Sequence, residues 1–163
     1  MKKIILSLSI LFLITGNVFS AGSDGGDGKT KTKSNYEKAV THIEAAKKHE
    51  KKGKLEKANK KYAKAQGLLI KSNNKKPNDA DTLNYLGFTT RKLGDFENGE
   101  KYYLLGLKIN PNHNGINEYL GELYVKTNRV DLAKERLEVL KNCKCEEYSE
   151  LKEIIAGTKK SKY

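Results

Sequence analysis

Apolar side chains recur every three or four residues along most of the chain, which is the spacing of one face of an α-helix. The first apolar stripe breaks at Lys52-Gly53, and the second ends near 72–74 and Pro77. The first stripe comprises Tyr36, Ala39, Val40, Ile43 and Ala46, and the second comprises Leu55, Ala58, Tyr62, Ala65 and Leu69. Because no segment alternates apolar and polar residues in the manner of a strand, the pattern predicts an all-α domain.

The first helix has a start signal. Ser34 is followed three residues later by Glu37, and this spacing predicts a capping box in which each side chain binds the other residue's backbone N–H. Residues 21–34 are rich in Gly, Ser and Thr and hold no large apolar side chain, so they are predicted to be a flexible linker. We expect the helical domain to cover 35–157 and a disordered tail to follow at 158–163.

A glycine inside a predicted helix points to an internal repeat. Gly87, in YLGFTTRKLGDF (residues 85–96), costs about 1 kcal/mol relative to alanine in such a position. A shift of 34 residues places Leu86-Gly87 on Leu120-Gly121 and Pro77 on Pro111. A period of this length is typical of stacked helix-turn-helix units. We therefore expect Gly87 to lie where two helices of one unit cross closely, and Gly94 to close the turn between them.

These repeats resemble those of the tetratricopeptide repeat (TPR) family. Residues 80–113 match its pattern with Thr90 in place of the usual tyrosine and with Gly99 and Gly106 in place of alanine. Residues 114–147 match it with Asn117 and Cys145 in place of the usual aromatic residue and proline. The matching positions are Leu83, Leu86, Gly87, Gly94, Phe96, Tyr103, Leu107 and Pro111 in one unit and Leu120, Gly121, Tyr124, Ala133 and Leu137 in the next.

The resemblance implies a right-handed α-solenoid of about three helix-turn-helix repeats, near 39–79, 80–113 and 114–147, with a capping helix at 146–156. The first unit is seven residues longer than the others, which is about two helical turns, so its second helix can lengthen without rotating its apolar face. The hydrophobic fraction of 37% is below the usual value of about 45–50% and agrees with a thin stack. A generic helical bundle with chance spacing is the alternative.

The resemblance also implies a binding site, because the first helices of successive repeats in this family line a groove that holds a partner polypeptide. By register, the groove residues are Ile43, Lys47, Lys51, Asn84, Phe88, Arg91, Glu118, Glu122 and Val125. Their mixed chemistry suits an extended polypeptide better than a uniform polyanion. The family's clamp for a terminal carboxylate is not expected, because Glu118 and Glu122 stand where neutral or basic groups are needed. The alternative is that these residues form only solvated helix faces.

The first twenty residues have the layout of a secretory signal peptide. Lys2 and Lys3 precede an apolar run over 4–14, and the small residues Val18 and Ser20, at positions −3 and −1, predict cleavage after Ser20. The run is short for a membrane-spanning anchor, which needs about 20 apolar residues, although retention as an anchor is the alternative. We expect a periplasmic or secreted bacterial protein with no transmembrane segment after cleavage.

Most of the positive charge lies in one segment. The 163-residue chain has a formal net charge of +12; residues 35–76 contribute 13 Lys and 4 Glu, whereas residues 77–163 carry 14 basic and 14 acidic groups and are neutral. The Lys-rich hairpin at 47–64 could bind an anionic glycan or lipid of the envelope, which is the alternative function, or simply keep the domain soluble. Nucleic acid is not expected as a partner, because an exported protein rarely meets it.

The remaining chemistry is sparse. Cys143 and Cys145 are the only cysteines and in an oxidising compartment are expected to pair as a local staple; a redox-active pair, a metal site and free or intermolecular thiols are the alternatives. His42, His49 and His113 form no ligand motif, and no phosphate loop or nucleophile motif is present. We therefore predict a non-catalytic protein–protein interaction scaffold without a cofactor or metal.

Overall fold

The computed structural model describes residues 32–161, which form seven α-helices and no strand. The helices are α1 Asn35–Glu50, α2 Leu55–Lys75, α3 Ala80–Lys92, α4 Phe96–Ile109, α5 Asn114–Lys126, α6 Val130–Leu140 and α7 Glu146–Ile155. None of these helices is both long enough and apolar enough to cross a membrane. The predicted signal peptide and most of the predicted linker lie outside the described residues.

Local polar contacts fix where the helices begin. The Ser34 hydroxyl accepts a hydrogen bond from the Glu37 backbone N–H at 3.2 Å, and the Ser34 N–H donates to the Glu37 carboxylate at 2.7 Å. The predicted capping box is therefore present. Asp79 caps α3 by accepting from the Thr82 N–H at 2.9 Å. Partial burial alone would raise the pKa of Asp79, but the hydrogen bonds from Thr82 and Lys76 outweigh it, and that pKa lies below its ordinary value.

Helices that are neighbours in the chain form three pairs: α1 with α2, α3 with α4, and α5 with α6. Neighbouring pairs meet through α2–α3 and α4–α5, and α7 packs on α5 and α6. α3 and α5 begin 34 residues apart, as do α4 and α6. The predicted fold class, an all-α stack of three helix pairs with a closing C-terminal helix, is confirmed.

The unusual length of the first unit is located in α2. This helix has 21 residues, whereas α4 has 14, so the seven additional residues extend one helix and leave its buried stripe continuous. Ala58, Tyr62, Ala65 and Leu69 on that stripe are all fully buried.

Gly87 lies at the crossing of α3 and α4. A Cβ added there would lie 2.6 Å from Cδ1 of the buried Tyr103 ring, a separation that packed atoms do not adopt. Its repeat partner Gly121 meets α7 instead, where a Cβ would lie 2.5 Å from Cδ2 of Leu151. Gly94 has a φ of +97° and closes the α3–α4 turn. The glycines therefore set how closely the helices approach.

The chain after α7 turns back onto the fold. The Thr158 hydroxyl donates to the Glu153 carbonyl at 3.1 Å, and Lys159 Nζ lies 2.9 Å from the Glu150 carboxylate. Further along, the Ser161 hydroxyl donates to the Glu122 carboxylate at 3.3 Å. Residues 158–161 of the predicted disordered tail thus have a backbone carbonyl and two carboxylates as acceptors.

Candidate binding groove

The first helices of the pairs bring aromatic and cationic side chains into one row. The ring centroids of Phe88 on α3 and Tyr119 on α5 lie 5.1 Å apart. The Arg91 guanidinium lies 5.2 Å from the Phe88 centroid and 5.0 Å from that of Tyr119. Lys47 Nζ on α1 lies 4.8 Å from the Phe88 centroid. Cation–π contacts therefore join α1, α3 and α5 side by side.

An ion pair lies within this row. Both Nη atoms of Arg91 donate to one carboxylate oxygen of Glu122 at 3.3 Å, and both side chains are fully buried. Burial removes each charge from water at a high cost, so the pair is stable only because each partner compensates the other. Its main effect is to hold α3 and α5 in register.

Eight of the nine predicted groove residues lie on α1, α3 and α5, Lys51 is the C-cap residue of α1, and the nine differ in accessibility. Lys51 is exposed, whereas Lys47 and Val125 are partly buried. The other six are buried: Ile43, Asn84, Phe88, Arg91, Glu118 and Glu122. Large side chains that belong to neighbouring pairs fill the space between the first helices. A ligand therefore has access to the edges of this row rather than to its floor.

A second polar cluster joins the first two pairs, and its Tyr62 ring contacts Phe88 edge-on. The Tyr62 hydroxyl donates to Glu50 at 2.8 Å, and Lys92 Nζ lies 2.7 Å from the same carboxylate. Burial, together with the hydrogen bond to Glu50, raises the pKa of Tyr62 well above its ordinary value. The cluster therefore fixes α1, α2 and α3 relative to one another.

A polar cavity of about 670 Å³ opens beside the row, between the start of α3, the α4–α5 loop and α5. We call it the rim pocket. Its lining includes Asp79, Asp81, Asn84, His113, Gly115, Glu118 and Glu147. His113 Nδ1 accepts from the Ile116 N–H at 3.1 Å and thereby caps α5. With Nδ1 as the acceptor, the neutral ring carries its proton on Nε2, 3.0 Å from Asp81 Oδ1.

A basic surface lies on α2 and the end of α1. An open cavity of about 430 Å³ there is lined by His49, Lys57, Lys60, Lys61, Ala63 and Lys64. Partial burial and the charges of Lys61 and Lys64 lower the pKa of the nearby His42. This lysine surface corresponds to the predicted Lys-rich hairpin, and its lysines lie on one helix face because they are three and four residues apart.

Cys143 and Cys145 form a disulfide immediately before α7, with Cys145 at the N-cap. Within residues 32–161, no group of three or more His, Cys, Asp or Glu side chains is arranged to hold a metal ion. The bridge therefore lies where the last pair joins the closing helix.

The stacked pairs define an α-helical repeat protein. No family model matches the sequence, and no curated protein matches it. A solved structure described as the first TPR of Spaghetti (RPAP3) bound to the HSP90 peptide SRMEEVD is similar to this chain, with 19% sequence identity. The likeness covers 77% of this chain and 95% of that chain with a TM-score of 0.48, which says nothing about what this chain binds.

Proposed function

We propose that the chain is a non-catalytic, TPR-type interaction module that binds a partner polypeptide along the edge of its first helices. The supporting observation is the shared register of α3 and α5, which lines up side chains from successive pairs in a single row. Because α3 and α5 begin 34 residues apart, equivalent positions of the two helices lie side by side. An extended partner polypeptide would therefore make similar contacts with each helix in turn.

The chemistry of the accessible groups favours a polypeptide. Lys47 and Lys51 offer ammonium groups, Val125 offers apolar surface, and the rim pocket offers carboxylates and amides. A peptide carries donors, acceptors and apolar groups within a few residues, whereas a uniform polyanion would be repelled by the carboxylates of the rim pocket.

A peptide-selection experiment tests this function. The chain is panned against phage-displayed random peptides, and a photo-crosslinking amino acid at Lys47 or Val125 then reports where the selected peptides bind. Leu104 on α4 is 42% exposed and serves as the matched control position. We expect crosslinks at Lys47 and Val125 that unlabelled peptide competes away. Failure to select any peptide, or crosslinks confined to Leu104, would overturn the proposal.

We further propose that the module acts in the bacterial periplasm after cleavage behind Ser20. The support is the signal-peptide layout of residues 1–20. When the full chain is expressed in a bacterium, N-terminal sequencing of the periplasmic fraction should give a protein that begins at Ala21. Recovery of the uncleaved chain in the membrane fraction would instead indicate an anchored form.

The lysine surface supports a second candidate function, binding to anionic envelope glycan or lipid. Lys57, Lys61 and Lys64 lie on one face of α2 around the same open cavity. Vesicles that contain anionic lipid should then retain the chain at low salt, and changing these three lysines to Gln should abolish retention. Retention by neutral vesicles, or by the Gln variant, would exclude the surface from this role.

A further inference from the structure

We propose that the chain after α7 is an autoinhibitory segment. Residues 158–161, which we call the C-terminal tail, occupy the α5 end of the row of first-helix residues, and a partner polypeptide has to displace them to bind there. This inference rests on the proposed function, because it concerns access to the same row. It adds a competitor that belongs to the chain itself.

The backbone after α7 turns the tail out of the helix axis. Gly157 follows Ala156, the C-cap residue of α7, and has a φ of +72°. The Gly157 N–H donates to the Ile154 carbonyl at 3.1 Å, and the Thr158 N–H donates to the Glu153 carbonyl at 3.0 Å. These two bonds form a Schellman motif, which ends a helix at a left-handed residue. A Cβ at Gly157 would have nothing within 4 Å, so glycine is favoured there by backbone conformation alone.

Side chains of the tail attach it to two helices. Lys159 Nζ lies 2.9 Å from Glu150 Oε1 and 3.9 Å from Glu153 Oε2, both on α7. Because the Glu150 side chain is only 14% exposed, its pair with Lys159 is screened less than a pair between two exposed side chains. The Ser161 hydroxyl donates to Glu122 Oε2 on α5 at 3.3 Å. The tail therefore follows the surface of α7 and reaches α5.

The contact with Glu122 places the tail on the binding side of α5. Glu122 Oε2, the oxygen that accepts from Ser161, also accepts from both Nη atoms of Arg91 within the row. Val125 lies three residues further along the same face of α5, and it is one of the positions where a partner is expected to bind. The tail and a partner therefore compete for this part of the row, whereas Lys47 belongs to the first helix pair.

A crosslinking experiment without any partner tests whether the tail lies on α5. Lys160 is exposed and lies between the two tail residues that make side-chain contacts, so a photo-crosslinking amino acid can replace it without removing either contact. We expect crosslinks within one molecule to peptides from α5. Crosslinks that avoid α5, or that form only between molecules, would overturn the inference.

Two substitutions of one glycine test how the tail is directed. Gly157→Ala introduces a residue that disfavours positive φ, whereas Gly157→Asn introduces one that tolerates it. Neither Cβ has a neighbour to meet. We expect Gly157→Ala to reduce the Lys160 crosslinks to α5 severalfold and Gly157→Asn to retain most of them. Equal crosslinking by the alanine variant and the wild type would contradict a tail that the Schellman motif directs.

Removing the tail tests competition with a partner. A chain that ends at Gly157 should bind the peptides selected by panning roughly threefold to tenfold more tightly, because a closed state lowers apparent affinity by the fraction of molecules that are open. Photo-crosslinking of those peptides should increase at Val125 and not at Lys47. Unchanged or weaker affinity, or an equal increase at both positions, would overturn the inference.

Point variants of the full chain test the same contacts without changing its length. Ser161→Ala and Lys159→Gln should each give part of the gain in affinity that truncation gives. Lys160→Gln removes the same charge from the exposed neighbouring position and is the matched control, so it should leave affinity unchanged. An equal gain with Lys160→Gln would show a nonspecific charge effect and refute the role of these contacts.

The inference and the proposed function fail in different ways. Peptides that bind at Val125 equally well with and without the tail would overturn the autoinhibitory role alone. If neither the full chain nor the truncated chain selects any peptide, while Lys160 still crosslinks to α5, the interaction function is wrong and only the position of the tail stands.

Discussion

Replacing Gly87 by alanine should destabilise the fold, although alanine is the better helix former. A helix-interior alanine gains about 1 kcal/mol over glycine. At Gly87 the new Cβ would meet the Tyr103 ring at 2.6 Å, and because Tyr103 is fully buried the ring cannot swing into solvent. Overpacking of this kind costs about 1–3 kcal/mol. Gly67 on α2 has nothing within 4 Å of its Cβ position, so Gly67→Ala should show the propensity gain alone.

The two variants should therefore differ in unfolding free energy by about 1–3 kcal/mol, with Gly67→Ala the more stable. Urea unfolding followed by circular dichroism measures the difference, and thermal melts should separate by roughly 3–5 °C per kcal/mol for a domain of this size. Tyr103→Leu removes the ring that the methyl group meets, so it should cost less in the Gly87→Ala background than in the wild type. If Gly87→Ala is as stable as Gly67→Ala, the close crossing of α3 and α4 is not what requires the glycine.

Arg91→Met should lower the unfolding free energy by about 3–5 kcal/mol because it leaves the Glu122 carboxylate buried without its cation, and adding Glu122→Leu should recover most of the loss; a double variant as unstable as the single one would contradict this. Asp79→Ala should cost about 1 kcal/mol at neutral pH through loss of the α3 cap. Because the folded-state pKa of Asp79 is lowered, this stabilisation is present above the unfolded pKa, so the difference from wild type should shrink as urea titrations move below about pH 4; a constant difference would exclude the charge from the effect. Changing Cys143 and Cys145 together to Ser should lower stability by roughly 1–2 kcal/mol, as expected for a very short closed loop, and dithiothreitol should lower the melting temperature of the wild type but not of that variant.

The fold was predictable from sequence because its determinants are local and periodic. The Ser34–Glu37 spacing predicted the first helix start, and the 34-residue register predicted the crossing at Gly87. The seven additional residues of the first unit predicted a longer second helix, which α2 shows. Each of these features depends on spacing within a helix or on the fixed length of one repeat, and both can be read from the sequence.

Accessibility was not predictable in the same way. Register placed Phe88, Arg91 and Glu122 on the first helices, where they lie, but whether a side chain faces solvent depends on the size of its neighbours on other helices. Arg91 packs between the rings of Phe88 and Tyr119, and its charge is compensated by Glu122. The residue pattern within one repeat does not predict this arrangement, because Tyr119 and Glu122 lie about one repeat length after Phe88 and Arg91.

The rim pocket was missed for a related reason. Asp81 and His113 are separated by 32 residues, and the α4–α5 loop brings them together only after α3 and α5 have stacked. One signal was nevertheless available. His113 precedes a predicted helix start by one residue, the position where a side-chain acceptor is preferred, and its Nε2, on the far side of the ring from the capping Nδ1, contacts Asp81.

The burial of the ion pair also limits how a partner can be recognised. A ligand that reached Arg91 would have to separate it from Glu122, which would leave a buried charge uncompensated at a cost of about 3–5 kcal/mol. That cost is comparable to the whole affinity of a millimolar complex, about 4 kcal/mol. A partner therefore gains more at side chains that solvent already reaches than at this buried pair. Lys47, Lys51 and Val125 keep accessible surface at the edge of the row, so contacts there are expected to carry recognition while Arg91 and Glu122 hold α3 and α5 together.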